Sequence, residues 1–170
     1  MKTIVLTGPE STGKSSLASD LSKSLDYPVL TEYARTYLEE NGNDYTFEDA
    51  EIMAKEQWRQ EQAITNEYDQ KCILDTDLTV FYIWFNNSYQ TVPDWILEII
   101  KEGTEKLYLL CDIDIEWTAD DLREHPNPAD RQMLFKAYIS LLDAHQLNYH
   151  IIAGNRTARL KKTLEIISNQ

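Results

Sequence analysis

The chain has only two cysteines, Cys72 and Cys111, and neither a Cys-x-x-Cys pair nor a histidine cluster. Both cysteines sit in apolar, strand-like runs, so they read as small core residues and not as a disulfide or a metal site. No run of about 18 apolar residues is present, which excludes a membrane-spanning helix. The short apolar stretch ahead of Gly8 carries one Lys and is too brief for a signal peptide. These absences predict a reducing, cytoplasmic location with no membrane partner. Positive charge is also scarce, with 16 Lys and Arg against 29 Asp and Glu, a net charge of −13. That balance excludes an extended nucleic-acid partner and suits a neutral or cationic small substrate. Linkers, internal repeats and low-complexity tracts are missing too. At 170 residues, the chain is expected to be one domain, 1–170, with a single core.

What is present is organised around Gly8-Pro9-Glu10-Ser11-Thr12-Gly13-Lys14-Ser15, two glycines four residues apart followed by Lys and Ser. The flanks are those that phosphate binding requires. Lys2 to Thr7 reads as a buried parallel strand, and residues 13 to 25 carry Leu17, Ala18, Leu21 and Leu25 at helical spacing. A loop between strand and helix turns its N–H groups on an anion, and the helix start adds its positive end. Gly8, Glu10, Ser11, Thr12, Gly13, Lys14, Ser15 and Ser16 are therefore expected to hold ATP. Lys14 would reach the β- and γ-phosphates, and the Ser15 hydroxyl would hold Mg²⁺.

Further strands are expected at Val29 to Thr31, Lys71 to Leu74, Leu107 to Cys111 and Tyr149 to Ala153. Between them fall a helical turn stopped at Gly42 and a long amphipathic helix from Thr46, with Asp49 completing a capping box and Ile52, Met53, Trp58, Ala63 and Ile64 as its apolar stripe. An aromatic helix, a helix from Trp95 to Glu102, one from Leu134 to Leu142 and a last helix to Ile167 follow. Short apolar strands alternating with helices, with the phosphate loop after the first, predict a doubly wound α/β fold with a five-stranded parallel sheet. The polar, proline-bearing segment 116–130 is expected to be a short lid.

Sites in such folds lie at the carboxyl ends of strands, and each strand here ends in polar groups. Glu32, Tyr33 and Arg35 follow the second, Asp75 and Asp77 the third, Asp112 and Asp114 the fourth, Asn155 and Arg156 the fifth. Asp75 closes an apolar run and fits the carboxylate that steadies a Mg²⁺ water shell beside the loop, with Ser15. Glu32 and Asp77 are both candidates for the base that accepts a substrate hydroxyl proton. Arg35 lies one helical turn from Glu32, as a substrate contact or a plain surface ion pair. Arg123 and Arg131 would bring guanidinium groups over the phosphates as the lid closes. Asn155 and Arg156 are expected on the nucleotide. Trp117, in the lid among carboxylates, suits a flat cationic ring.

These strings, with Leu110-Cys111-Asp112-Ile113-Asp114-Ile115-Glu116-Trp117 and Asp121-Leu122-Arg123, resemble the ribosylnicotinamide kinase domain of the NadR family. The resemblance implies an α/β, three-layer P-loop NTPase/kinase fold and transfer of the γ-phosphate of ATP, with Mg²⁺, to the 5′-hydroxyl of nicotinamide riboside. NadR proteins typically carry an adenylyltransferase domain ahead of the kinase, and some add a DNA-binding domain. Here the phosphate loop begins at residue 8, so the expectation is a kinase without either. Read without the resemblance, the residues imply a small-molecule kinase. A kinase for another nucleoside or small metabolite fits them as well. A nucleotide switch or regulatory ATPase is the competing class; it would call for a water-orienting Gln after the third strand, and none stands there.

Overall fold

The structure is a computed structural model that describes residues 3–102, 105–119 and 127–169. Five short strands, β1 (Ile4–Thr7), β2 (Val29–Leu30), β3 (Ile73–Asp75), β4 (Leu107–Cys111) and β5 (Tyr149–Ile152), pair in parallel in the order β2-β3-β1-β4-β5. Register sets Leu6 beside Asp75 and Thr7 beside Leu110, so β1 ends in the middle of the sheet, flanked by the ends of β3 and β4. The helices are α1 (Lys14–Leu25), α2 (Tyr33–Asn41), α3 (Phe47–Glu67), α4 (Leu78–Tyr89), α5 (Asp94–Glu102), α6 (Pro128–Ala144) and α7 (Arg156–Ser168).

Strand alternation sorts the core into two layers. Ile4, Leu6, Ile73, Leu107 and Leu109 face α1 and α7 on one side. Val5, Leu74, Tyr108 and Leu110 face the larger cluster built with α2 to α6 on the other. Cys72 and Cys111 are buried as free thiols, in the apolar settings that their runs imply. The α/β architecture and the five parallel strands match expectation. Among the described residues, no helix is long and apolar enough to cross a membrane.

Some boundaries move for physical reasons. The third strand ends one residue later than the sequence implies, because Asp75 pairs with Leu6. Thr46 caps α3 in a full capping box with Asp49, but the buried face is Ala50, Met53, Ala54, Gln57, Glu61 and Thr65, while Ile52 stays half exposed. The helix expected from Leu134 begins at Pro128: proline is preset for the first helical position, and the Asn127 side chain accepts from the Ala129 N–H at 2.9 Å. Residues 128–130 of the segment read as a lid therefore belong to α6. Arg123 lies outside the described residues.

Gln57 and Glu61 on the buried face of α3 have partners from far along the chain. Gln57 Oε1 accepts from the Tyr33 N–H at 2.8 Å. The Lys106 ammonium sits between Glu61 at 2.6 Å and Asp77 at 3.0 Å, with the Trp58 ring 5.9 Å away. Burial pushes the Glu61 carboxyl up to about 7; Lys106 opposes this and Asp77 adds to it. Between its ordinary value of 4.5 and about 7, folded Glu61 holds a proton that the unfolded chain has released. The stability it contributes is complete below that window and is lost as pH rises through 7. Urea midpoints should thus fall across this range, and Glu61→Gln should flatten the slope. An unchanged slope in the variant would assign the pH dependence elsewhere.

Candidate active site

At the end of β1 the chain turns through Gly8 and Gly13, both at positive φ. A Cβ on Gly8 would stand 2.9 Å from the Cys111 carbonyl oxygen, so only glycine lets the loop pass this close to β4. Lys14 folds back over the loop, its Nζ donating to the Gly8 and Pro9 carbonyls at 2.9 and 2.8 Å. Thr12, buried, closes the turn by donating its hydroxyl to the Pro9 carbonyl at 2.8 Å.

The loop lines a cavity of about 280 Å³. Gly8 to Ser16 line it, together with Glu32 and Arg35 just after β2. The rest of the lining is apolar and aromatic, with Ala34, Leu38, Val80, Ile83, Trp84, Leu134 and Tyr138, plus the amide of Asn87. Val80, Ile83, Trp84 and Asn87 are one stripe of α4, at i, i+3, i+4 and i+7. Trp84 is held in place by an edge contact with Tyr45, stacking on Phe81, and an Nε1–H to Tyr45 hydroxyl bond of 2.8 Å. Burial drives the Tyr138 phenol well above its usual range, with the negative charge of Glu32 adding to the effect, so it remains a neutral hydroxyl.

Glu32 lines this cavity, as does Glu10 of the loop. Burial raises the Glu32 pKa, Lys14 opposes the rise, and Asp75 adds to it. Asp75 lies next to it, 5% exposed, its own pKa raised by burial against the pull of the Ser15 hydroxyl, Lys14 and Arg35. One Asp75 oxygen, Oδ1, has no hydrogen-bond partner although it is fully buried. A buried carboxylate oxygen left open beside a serine hydroxyl at a phosphate loop fits Mg²⁺, which takes few protein ligands and keeps its waters. Among the described residues no group of three or more acidic, His or Cys side chains is placed to hold a metal ion.

Other candidates fall elsewhere. Asp77 is not in the cavity. Its Oδ1 accepts from Thr79 N–H and hydroxyl at 2.9 and 2.6 Å, and its Oδ2 from Lys106 and the Tyr108 hydroxyl, each at 3.0 Å. Thr76, at φ +79, turns the chain between Asp75 and Asp77, and the two carboxylates gather separate partners. Asn155 caps α7 by accepting from the Ala158 N–H at 3.0 Å, and Arg156 pairs with Asp20 at 2.6 and 2.7 Å on the surface. The Tyr33 ring lies 6.4 Å from that of Tyr37, outside the cavity walls. Trp117 lies over the phosphate loop, its Nε1–H reaching Glu10 at 3.2 Å, while the Thr118 N–H donates to the Ser11 hydroxyl at 2.9 Å. Arg131 also reaches the loop, donating to the Ser11 and Ile115 carbonyls at 3.3 to 3.4 Å, with its buried Nε unpartnered.

Sequence reasoning missed Trp84, Asn87, Tyr138 and Arg159. The signal for Arg159 was available: it occupies the buried stripe of α7 with Thr163, Ile166 and Ile167, where a charge needs a reason.

A phosphate loop at the end of the central strand of a parallel β2-β3-β1-β4-β5 sheet defines the P-loop kinase fold. Within that class, residues 3–159 match the AAA domain family (AAA_28), and the chain belongs to it. Among curated proteins none matches the chain by sequence. Solved structures share the fold at low identity. NadR protein in complex with NR aligns with TM-score 0.71 and 18% identity over 99% of this chain and 51% of NadR, so the chain spans about half of that protein. Deoxyadenosine kinase from M. mycoides with dATP aligns with TM-score 0.69 and 14% identity over 99% of this chain and 100% of that one. YorR from Bacillus subtilis, with phosphorylated GDP, aligns with TM-score 0.59 and 17% identity over 97% and 95%.

Proposed function

We propose that the chain is an ATP-dependent kinase that phosphorylates the 5′-hydroxyl of a nucleoside, with nicotinamide riboside as the acceptor the residues favour. The observation that carries this reading is one cavity lined by a phosphate loop, an aromatic wall and Glu32, a carboxyl with a raised pKa. A nucleotide switch needs no such compartment.

In the proposed reaction the loop N–H groups and Lys14 hold the ATP phosphates, and Lys14 meets the charge on the moving γ-phosphoryl. Ser15 and Asp75 would hold Mg²⁺, which neutralises phosphate charge when bound. Glu32 orients the acceptor hydroxyl and takes its proton as the oxygen attacks phosphorus and the bond to ADP breaks. A carboxylate with a raised pKa is a better match to that proton than an ordinary one. Arg131 reaches the phosphate side from α6, and Arg35 steadies the acceptor from α2. The acidic surface and Trp84 suit a cationic ring, and support for nicotinamide riboside also comes from the fold shared with NadR solved with NR.

The ring contact moves from Trp117 to Trp84 in this reading. A desolvated cation–π contact is worth about 2 kcal/mol, so Trp84→Ala should raise the KM for nicotinamide riboside by about tenfold or more. An uncharged nucleoside should lose less. Trp117→Ala should act on the KM for ATP, because its ring lies on Glu10 of the phosphate loop. Steady-state kinetics varying each substrate in turn separates the two. The reverse pattern would return the acceptor ring to Trp117.

A further inference from the structure

We propose that Arg159, on α7, is a positioning residue for the nucleotide phosphates, acting through the peptide of Thr12. The inference rests on the phosphate-loop reading of the site and adds a residue that the loop motif does not contain. Arg159 is 3% exposed, yet its guanidinium meets three separate segments. NH1 donates to the Thr12 carbonyl at 2.6 Å, Nε to the Gly154 carbonyl at 2.7 Å, and NH2 to the Asp112 carbonyl at 3.0 Å and to the Asp114 carboxylate. Asp114 in turn accepts from the Gly154 N–H.

A buried guanidinium costs desolvation that an apolar side chain of similar size would avoid. What arginine adds at this position is direction, because its planar fork fixes where several acceptors stand. The acceptor that matters is Thr12. Its neighbours Ser11 and Gly13 both take positive φ, at 54° and 77°, so no helix or strand ladder holds the peptide between them. The next loop carbonyl, Gly13, is already held by the Leu17 N–H of α1. The Thr12 carbonyl is thus fixed by a side chain of α7, at a shorter distance than the 3.3 Å at which Arg131 of α6 reaches the Ser11 carbonyl.

Across a trans peptide the N–H points opposite to the carbonyl. With the Thr12 carbonyl drawn toward Arg159, the Gly13 N–H is turned to the other side of the loop, where phosphate oxygens bind. Arg159 also ties that peptide to the ends of β4 and β5, so the loop takes its orientation from the sheet. Without the fork the Gly13 peptide can rotate, and the nucleotide must order it on binding. The cost falls on ATP affinity. The acceptor compartment, walled by α2, α4 and α6, contains no Arg159 contact.

The test is calorimetric titration of Mg²⁺·AMP-PNP and, separately, of nicotinamide riboside into the full chain and its Arg159→Met and Arg159→Lys variants. Arg159→Met should weaken AMP-PNP by about tenfold or more and leave nicotinamide riboside within about twofold. Arg159→Lys, which keeps the charge and loses the fork, should fall between and should decide the matter alone if Arg159→Met does not fold. AMP-PNP affinity equal to wild type in a folded variant overturns the proposal. Equal weakening of both ligands also overturns it, since that pattern means general loosening. The kinase reading fails by a different result: wild-type chain that binds AMP-PNP but neither binds the nucleoside nor consumes ATP in its presence. The AMP-PNP ratios, set against the urea midpoints of the same variants, would still decide the role of Arg159.

Discussion

Lys14→Ala is expected to lower turnover by about a thousandfold or more while the protein keeps its fold. Among the described residues the ammonium donates to the Gly8 and Pro9 carbonyls, and the side chain opens to the cavity and not to the core. Its loss therefore costs little packing. In the proposed reaction it removes a preorganised cation from the place where charge gathers on the transferring group, an effect on the order of 4 kcal/mol in such sites. That energy corresponds to about three decades of rate. Circular dichroism and a melting curve close to wild type, with turnover nearly gone, are the expected pair of results. Retention of more than about a tenth of the rate would remove the loop lysine from the mechanism.

The second large effect separates the two carboxylates. Glu32→Gln keeps the shape of the side chain and removes the proton acceptor, for an expected loss of about a hundredfold to ten-thousandfold in kcat. Because burial holds the Glu32 pKa above the ordinary carboxylate value, wild-type kcat/KM should fall as pH drops through that raised value, where the base becomes protonated. The variant should lack this acidic limb. Asp75→Asn should behave otherwise: its loss weakens the hold on Mg²⁺, so raised Mg²⁺ should restore part of the rate. Kinetics of both variants over a Mg²⁺ series is the check. Equal responses would mean that the two roles are wrongly divided, and Asp77 could not simply replace Glu32, since its oxygens are taken by Thr79, Lys106 and Tyr108.

Much of this site was legible because phosphate binding is a local device. Two glycines, a lysine and a serine at fixed spacing carry it, and their strand and helix adjoin them in sequence. Glu32 and Asp75 were legible for a related reason, as each directly follows or closes a strand. Asp77 was not, because what removes it from the cavity comes from Lys106 and Tyr108 around β4, with Glu61 of α3 sharing the Lys106 ammonium. No local pattern reports such a gathering. Trp84 was hidden differently. Leu78–Tyr89 is apolar or aromatic nearly all round, so helical periodicity does not say which ring meets the cavity. Pro128 read as loop punctuation among polar residues, whereas Asn127 ahead of it makes it the first residue of α6. Arg159 could be flagged as a charge on the apolar stripe of α7, but the three segments it meets converge only in the tertiary fold.

The central claim is acceptor-dependent phosphoryl transfer, and the most direct measurement is product analysis. Purified chain with ATP and Mg²⁺ is incubated with nicotinamide riboside, with deoxyadenosine or with no nucleoside, and ADP and nucleoside products are resolved by chromatography and mass spectrometry. The account predicts that ADP formation requires the nucleoside and matches it one to one with a 5′-monophosphate, fastest with nicotinamide riboside. Preference for deoxyadenosine would keep the kinase and change the acceptor. ADP formation at the same rate without any nucleoside, and no phosphorylated product, would contradict the account.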